Sequence, residues 1–335
     1  MSGQIKKWCR GLFSCLLVTL ILNTEALALD RRASYALSHY IMAVMYDELN
    51  DVNKAVQEYK KAIKADDGNS VIHLNLAASY IKNNEIQKAI QELNLAAKFD
   101  PQAIEPHAIL ALLYSSENKI EQASLEYEAA LTNASKLQPE NTDIYRSLGA
   151  IYLQQKKFKE AEKTYRLILS LLPADAQAHF YLGSIYEELK DRGKAEEELK
   201  KALELKPDYH ETLNYLGYLY VEADKNLDLA EAMIRKALLM QPDNGAYIDS
   251  LGWLYFKQGK LKEAIQELEK AVGLLEDPVI YDHLGDAYQK AGTIEKAGLS
   301  WQKSLELGPN QEQVKKKIEN LSKGSISNSK LQNKK

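Results

Sequence analysis

One tyrosine returns eight times along this chain, at an interval that no ordinary globular core imposes. Tyr46, Tyr80, Tyr114, Tyr152, Tyr186, Tyr220, Tyr255 and Tyr288 follow one another at steps of 34, 34, 38, 34, 34, 35 and 33 residues. Three positions before each stands a small residue: Ala43, Ala77, Ala111, Gly149, Gly183, Gly217, Gly252 and Gly285. A third column is alanine throughout, at Ala55, Ala89, Ala123, Ala161, Ala195, Ala230, Ala264 and Ala297. Four residues beyond it come Tyr59, Leu93, Tyr127, Tyr165, Leu199, Ile234, Leu268 and Trp301. A period of this size signals stacked supersecondary units, so the chain length of 335 carries no domain count.

The columns have a helical reading. Leu216, Gly217 and Tyr220 lie at i, i+1 and i+4, on one face of a first helix. Ala230, Ile234 and Ala237 lie at i, i+4 and i+7, on one face of a second. Small residues on both faces let two backbones approach closely while the larger ones fill the adjoining space. Asn50, Asn84, Asn118, Gly259 and Gly292 fall at the expected turn, where a left-handed residue ends the first helix. Prolines at 101, 139, 173, 207, 242 and 309 mark the stop of the second, because the residue before proline disfavours helical angles. One such pair cannot bury both its faces, and stacking the next pair extends the core.

On these columns the chain resembles the tetratricopeptide-repeat (TPR) family, with units 36–69, 70–103, 104–141, 142–175, 176–209, 210–244, 245–277 and 278–311. The third unit is four residues longer, Asp67 replaces proline in the first, and the family's tryptophan near each unit start is absent. The resemblance implies an all-α fold, a right-handed superhelical solenoid of eight helix-turn-helix repeats. After Pro309, Val314, Ile318 and Leu321 form one apolar stripe on a charged segment, which predicts a capping helix over 312–323. Residues 324–335 are expected to be a disordered basic tail, and residues 29–35 a lead-in.

Charge is unevenly spread. The net charge is −4, but residues 1–28 carry +2 and residues 311–335 carry +5, which leaves −11 on the body. An acidic body repels a phosphate backbone, so nucleic acid is not an expected partner. Lys6, Lys7 and Arg10 precede the apolar run Leu12–Leu22, and Ala26-Leu27-Ala28 supplies small residues at the positions a signal peptidase reads. These features predict a signal peptide over 1–28 and an exported, periplasmic or secreted protein with no integral membrane span after cleavage. The alternative is an uncleaved tether, although eleven apolar residues fall short of the roughly 20 a spanning helix needs. Both cysteines, Cys9 and Cys15, lie in this segment, so the mature chain has no thiol to oxidise.

No phosphate-cradling glycine loop, H-E-x-x-H or G-x-S-x-G occurs. The reading is therefore non-catalytic, with no catalytic residue, no metal and no cofactor. His39, His73 and His107 are spaced by 34 residues and share a column with His179. Helices packed 8–10 Å apart do not bring four such nitrogens within about 2.1 Å of one ion, so packing is the expected role. His210 and His283 stand alone.

What remains is a surface on the first helices, turned away from the Leu-Gly…Tyr face toward the groove of a curved stack. Its expected partner-binding residues are Arg146, Phe180, Asn214, Tyr218, Asp249, Trp253, Phe256 and Asp282. Aromatic rings rimmed by polar groups suit recognition of a protein or peptide segment; the competing reading is that some rings pack against neighbouring helices. Residues from Asp243 onward are similar to repeats of exported bacterial cell-envelope proteins. That resemblance implies a protein-protein interaction scaffold in envelope assembly or secretion, with the accessory subunit of an envelope hydrolase or transferase as the alternative.

Overall fold

A computed structural model describes residues 31–321, and all regular structure among them is helical. The expected signal peptide and basic tail lie outside the described residues. A helix over 31–48 (α1) pairs with α2 (Val52–Ala65), then α3 (Ser70–Lys82) with α4 (Ile86–Phe99) and α5 (Glu105–Ser116) with α6 (Ile120–Leu137). The order continues through α7 (Thr142–Gln154), α8 (Phe158–Leu171), α9 (Ala176–Glu188), α10 (Arg192–Leu205), α11 (His210–Glu222) and α12 (Leu227–Met240). It ends with α13 (Gly245–Lys257), α14 (Leu261–Leu274), α15 (Pro278–Lys290), α16 (Ile294–Leu307) and a helix over 312–321 (α17). Residues 31–35, expected as a lead-in, are already helical.

The chain forms two compact units, Met1–Thr164 and Tyr165–Lys335, with the boundary inside α8. Unit 1 has a core of Ala43, Tyr59, Leu76, Tyr80, Leu93 and Leu110. In unit 2 the core runs from Leu199, Leu216, Ile234 and Leu254 to Leu284 and Trp301.

The small-residue column is where first and second helices come closest. A Cβ added at Gly217 would meet Ile234 Cγ1 at 2.9 Å, and one at Gly285 would meet the fully buried Trp301 indole at 2.4 Å. Both distances are shorter than real Cβ contacts allow, so glycine is what these two pairs accept as they are packed, although Ala77 stands in the same column against Leu93.

The turn that ends each first helix is the same structure eight times. The carbonyl of every column tyrosine accepts the N–H five residues later, from Asp51 N–H to Tyr46 at 2.9 Å through Asp191 N–H to Tyr186 at 2.8 Å to Thr293 N–H to Tyr288 at 2.9 Å. One residue before that donor the backbone turns left-handed, as in the helix stop that favours glycine or asparagine. Asn50, Asn84, Asn118, Gly259 and Gly292 take this place as expected, and Lys156, Lys190 and Asp224 take it too. Residue preference alone does not reveal Lys156 and Lys190, since lysine has no affinity for positive φ, whereas Asp224 is of a type that visits it. At the other end, Asn69, Asn141, Asp175, Asn244 and Asp277 cap α3, α7, α9, α13 and α15 with side-chain oxygens.

The histidine column closes helix pairs. His39 bonds Glu58, and His73, His107 and His179 reach Glu92, Glu126 and Glu198 at 2.6 Å each. Each partner lies 19 residues downstream, on the second helix of the same pair. Where the column holds Tyr145, Leu213 or Tyr281 instead, position 19 downstream is Thr164, Ala232 or Ser300, while Ile248 retains Glu267 there. Among the described residues no group of three or more His, Cys, Asp or Glu is placed to hold a metal ion.

Candidate functional site

The expected site residues fall in different units. Arg146 is in unit 1, on α7, where it faces Asp143 at 3.7 Å. The other seven belong to the first helices α9, α11, α13 and α15 of unit 2. Trp253 and Phe256 stack with ring centroids 4.6 Å apart and planes 7° from parallel. Tyr218 joins them through a residue that spacing did not single out. His283 lies 4.0 Å from the Trp253 ring, nearly parallel, and 6.4 Å from Tyr218. Phe180 forms a second aromatic group, 5.4 Å from Tyr209 and 6.0 Å from Tyr215.

Two of the expected surface residues are buried. Trp253 is 8% exposed and Asp249 is 6% exposed. Trp253 does turn off the Gly252 face, but α15 of the following pair lays His283 over its ring. Asp249 accepts from His283 Nδ1 at 2.9 Å, and Trp253 Nε1 donates to Glu222 Oε1 at 2.5 Å. Trp253 is thus a floor of the site with its polar edge satisfied, not an exposed anchor.

Electrostatics around this floor are acidic. Burial by itself would hold the His283 imidazolium below its ordinary pKa; the charge of Asp249 and its hydrogen bond, with Asp282 and Glu222 adding, raise it instead. Burial pushes the Tyr215 phenol up to about 12, with the charges of Glu187 and Glu188 contributing. Tyr218 is raised by burial too, then by Glu222 and Asp249. Burial raises the Asp286 carboxyl, and the hydrogen bond and charge of Lys317 oppose that shift.

Lys317 of the same chain lies against two of these carboxylates. Its ammonium reaches Asp282 Oδ1 at 2.7 Å and Asp286 Oδ1 at 2.6 Å, and lies 5.7 Å from the Trp301 ring centroid. Lys317 belongs to α17, whose Val314 is buried with Trp301 and Leu284 while Ile318 and Leu321 pack alongside. Asn214, on α11, has its Oδ1 buried with no hydrogen-bond partner among the described residues. Spacing missed His283, Glu222 and Lys317 because each acts on a residue of a different helix, 31 to 35 positions away.

No helix among the described residues is long and apolar enough to cross a membrane. No curated protein matches the chain. Among solved structures it is similar to the APC/C hetero-tetramer Cut9-Hcn1, at 18% identity and a TM-score of 0.56, over 81% of this chain and 52% of that one. The chain thus spans about half the length of that relative. It is also similar to PilW, described as a widely conserved type IV pilus biogenesis factor, at 19% identity and a TM-score of 0.50, over 64% of this chain and 98% of that one. A family model described as the C-terminal domain of cilia and flagella-associated protein 70, a TPR domain, matches residues 22–274. Repeat columns, helix pairs and that match agree: the chain belongs to this tetratricopeptide-repeat family.

Proposed function

We propose that this protein is a non-catalytic scaffold that binds a partner polypeptide on the first-helix face of unit 2, and that it works in a bacterial cell envelope, in assembly or secretion. The ammonium of Lys317 between Asp282 and Asp286 carries the binding half of the reading. It is a lysine held by a second segment of chain, on the helix that also contributes Tyr281 and His283. Partly exposed Phe180, Tyr215, Tyr218 and Phe256 extend that face, and Glu187, Glu188 and Glu222 rim it. Such a face favours an extended segment carrying lysine or arginine, whose stem lies on the rings while its charge meets the carboxylates.

The envelope half rests on the basic, apolar and small-residue order of residues 1–28, and on the resemblance of the last repeats to envelope proteins. PilW, a pilus biogenesis factor, accords with it.

The test is affinity capture from an envelope fraction with the wild-type chain and with Glu222→Lys and Tyr218→Ala variants, followed by mass spectrometry. A partner lost from both variants, at unchanged helical content by circular dichroism, supports the face. Retention of every wild-type partner by both removes it.

A further inference from the structure

The first helix carries a surface that the other described residues of unit 1 leave uncovered. Leu37 is 58% exposed, Ile41 49% and Met45 59%, and Tyr35, Met42 and Leu49 are exposed beside them. At 100° per residue the first five share one side of α1 with Arg31, Ser34, Ser38 and Glu48, and Leu49 follows directly after its last residue. The buried Ala36 and Ala43 lie on the opposite side, toward the core. At the C-terminal end of unit 2 the corresponding problem is met by α17, whose Val314 is 2% exposed. Among the described residues no helix plays that part for α1.

We infer that this side of α1 is a homodimer interface, with α1 of a second copy packed antiparallel across a two-fold axis. The order of residues along the face is what selects a second copy. An antiparallel pair centred between positions 39 and 40 sets Arg31 of one chain opposite Glu48 of the other, at both ends by symmetry. The same register puts Ser34 opposite Met45 and Ser38 opposite Ile41, with Leu37 and Met42 on the two flanks of the seam. A small residue thus faces a large one at both inner levels, which lets the backbones approach and the side chains interdigitate. Neither end brings like charges together, and the helix dipoles oppose, which is favourable. A parallel pairing would instead place Arg31 against Arg31 and Glu48 against Glu48. A two-fold contact uses the same patch on both subunits, and this patch is complementary to itself.

One helix face is small beside stable interfaces, which bury about 800 Å² per partner, so the dimer should be reversible and depend on concentration. It involves neither the first-helix face of unit 2 nor any partner proposed to bind there, and the two readings stand or fall separately.

The experiment is sedimentation equilibrium of the full chain over a hundredfold concentration range. The wild type should pass from monomer to dimer. Ile41→Glu places two carboxylates near the axis and should raise the dimer Kd at least about tenfold, with helical content unchanged because Ile41 is exposed. Arg31→Glu and Glu48→Arg should each weaken the dimer several-fold, and the double variant should recover it, since the swap restores both ion pairs. A wild type that stays monomeric to about 200 μM, a dimer indifferent to Ile41→Glu, or a double variant no better than its parents would each overturn the interface. A monomer in which residues 1–30 of the same chain cross-link to Ile41 would overturn it in favour of that segment as the cover.

Discussion

His283 lies face to face on Trp253, with ring centroids 4.0 Å apart and planes 11° from parallel, while its Nδ1 is hydrogen-bonded to Asp249. The indole is buried between Phe256 and this imidazole, so it holds α13 and α15 together. Trp253→Ala should therefore destabilise unit 2 by about 3–5 kcal/mol, the usual loss for a large buried ring. Urea denaturation followed by circular dichroism measures it, and an unchanged midpoint would show that the stack contributes nothing.

The same pair should make unit 2 sensitive to pH. The His283 pKa is raised in the folded chain, so the native state binds its proton more tightly than the unfolded state, whose value is about 6.5. That contribution is complete below pH 6.5 and is lost as pH rises through the folded pKa. Asp249 from α13, Glu222 from α11 and Asp282 on α15 itself sustain the shift against burial. Melting temperatures should fall from pH 6 toward pH 9, and Asp249→Asn should flatten that decline. Equal slopes in both proteins would assign the dependence to other groups.

Gly285 stands against Trp301 with no room for a methyl group. Gly285→Ala should cost about 1–3 kcal/mol, the scale of overpacking a core whose ring cannot move aside. Gly273, late in α14, has nothing within 4 Å of an added Cβ. Gly273→Ala should be neutral or stabilise by up to about 1 kcal/mol through helix propensity. Thermal melts of the two variants should move in opposite directions or differ by at least several degrees; a shared response would mean that contact is not what selects glycine.

Lys190 occupies the left-handed turn after α9 with φ of 63°. A side chain there costs about 1–2 kcal/mol, and glycine escapes that cost while freeing the unfolded chain somewhat. Lys190→Gly should gain about 0.5–1 kcal/mol in chemical denaturation. A loss would indicate that the lysine makes a compensating contact.

Processing is open to direct measurement. Cleavage after Ala28 would leave Leu29 as the first residue of the exported chain, and a protein without cysteine whose melting ignores reductant. Edman sequencing of the envelope form should begin at Leu29; Met1 retained on membrane-bound protein would establish the tether instead.

Repetition made most of the architecture legible from residues alone. Gly285 and Trp301, or Gly217 and Ile234, sit 16 or 17 positions apart inside one helix pair, where spacing and side-chain size already determine which helix faces meet. The turns at Asn50 and Gly259 could be placed because those residue types tolerate left-handed backbone; Lys190 could not, since the hydrogen bond from Asp191 to Tyr186 imposes the conformation on it. The histidine column carried its partner in the sequence too, always 19 residues on. The first-helix face was a matter for tertiary structure. Whether Trp253 meets a partner or the core depends on α15 and on His283, 30 residues further along, and no property of Trp253 or its immediate neighbours announces that. Asp249, Glu222 and Lys317 likewise acquire their roles from side chains on other helices. Local periodicity determines which residues can lie on a common face; only the packing of the next repeat decides which of them stay exposed.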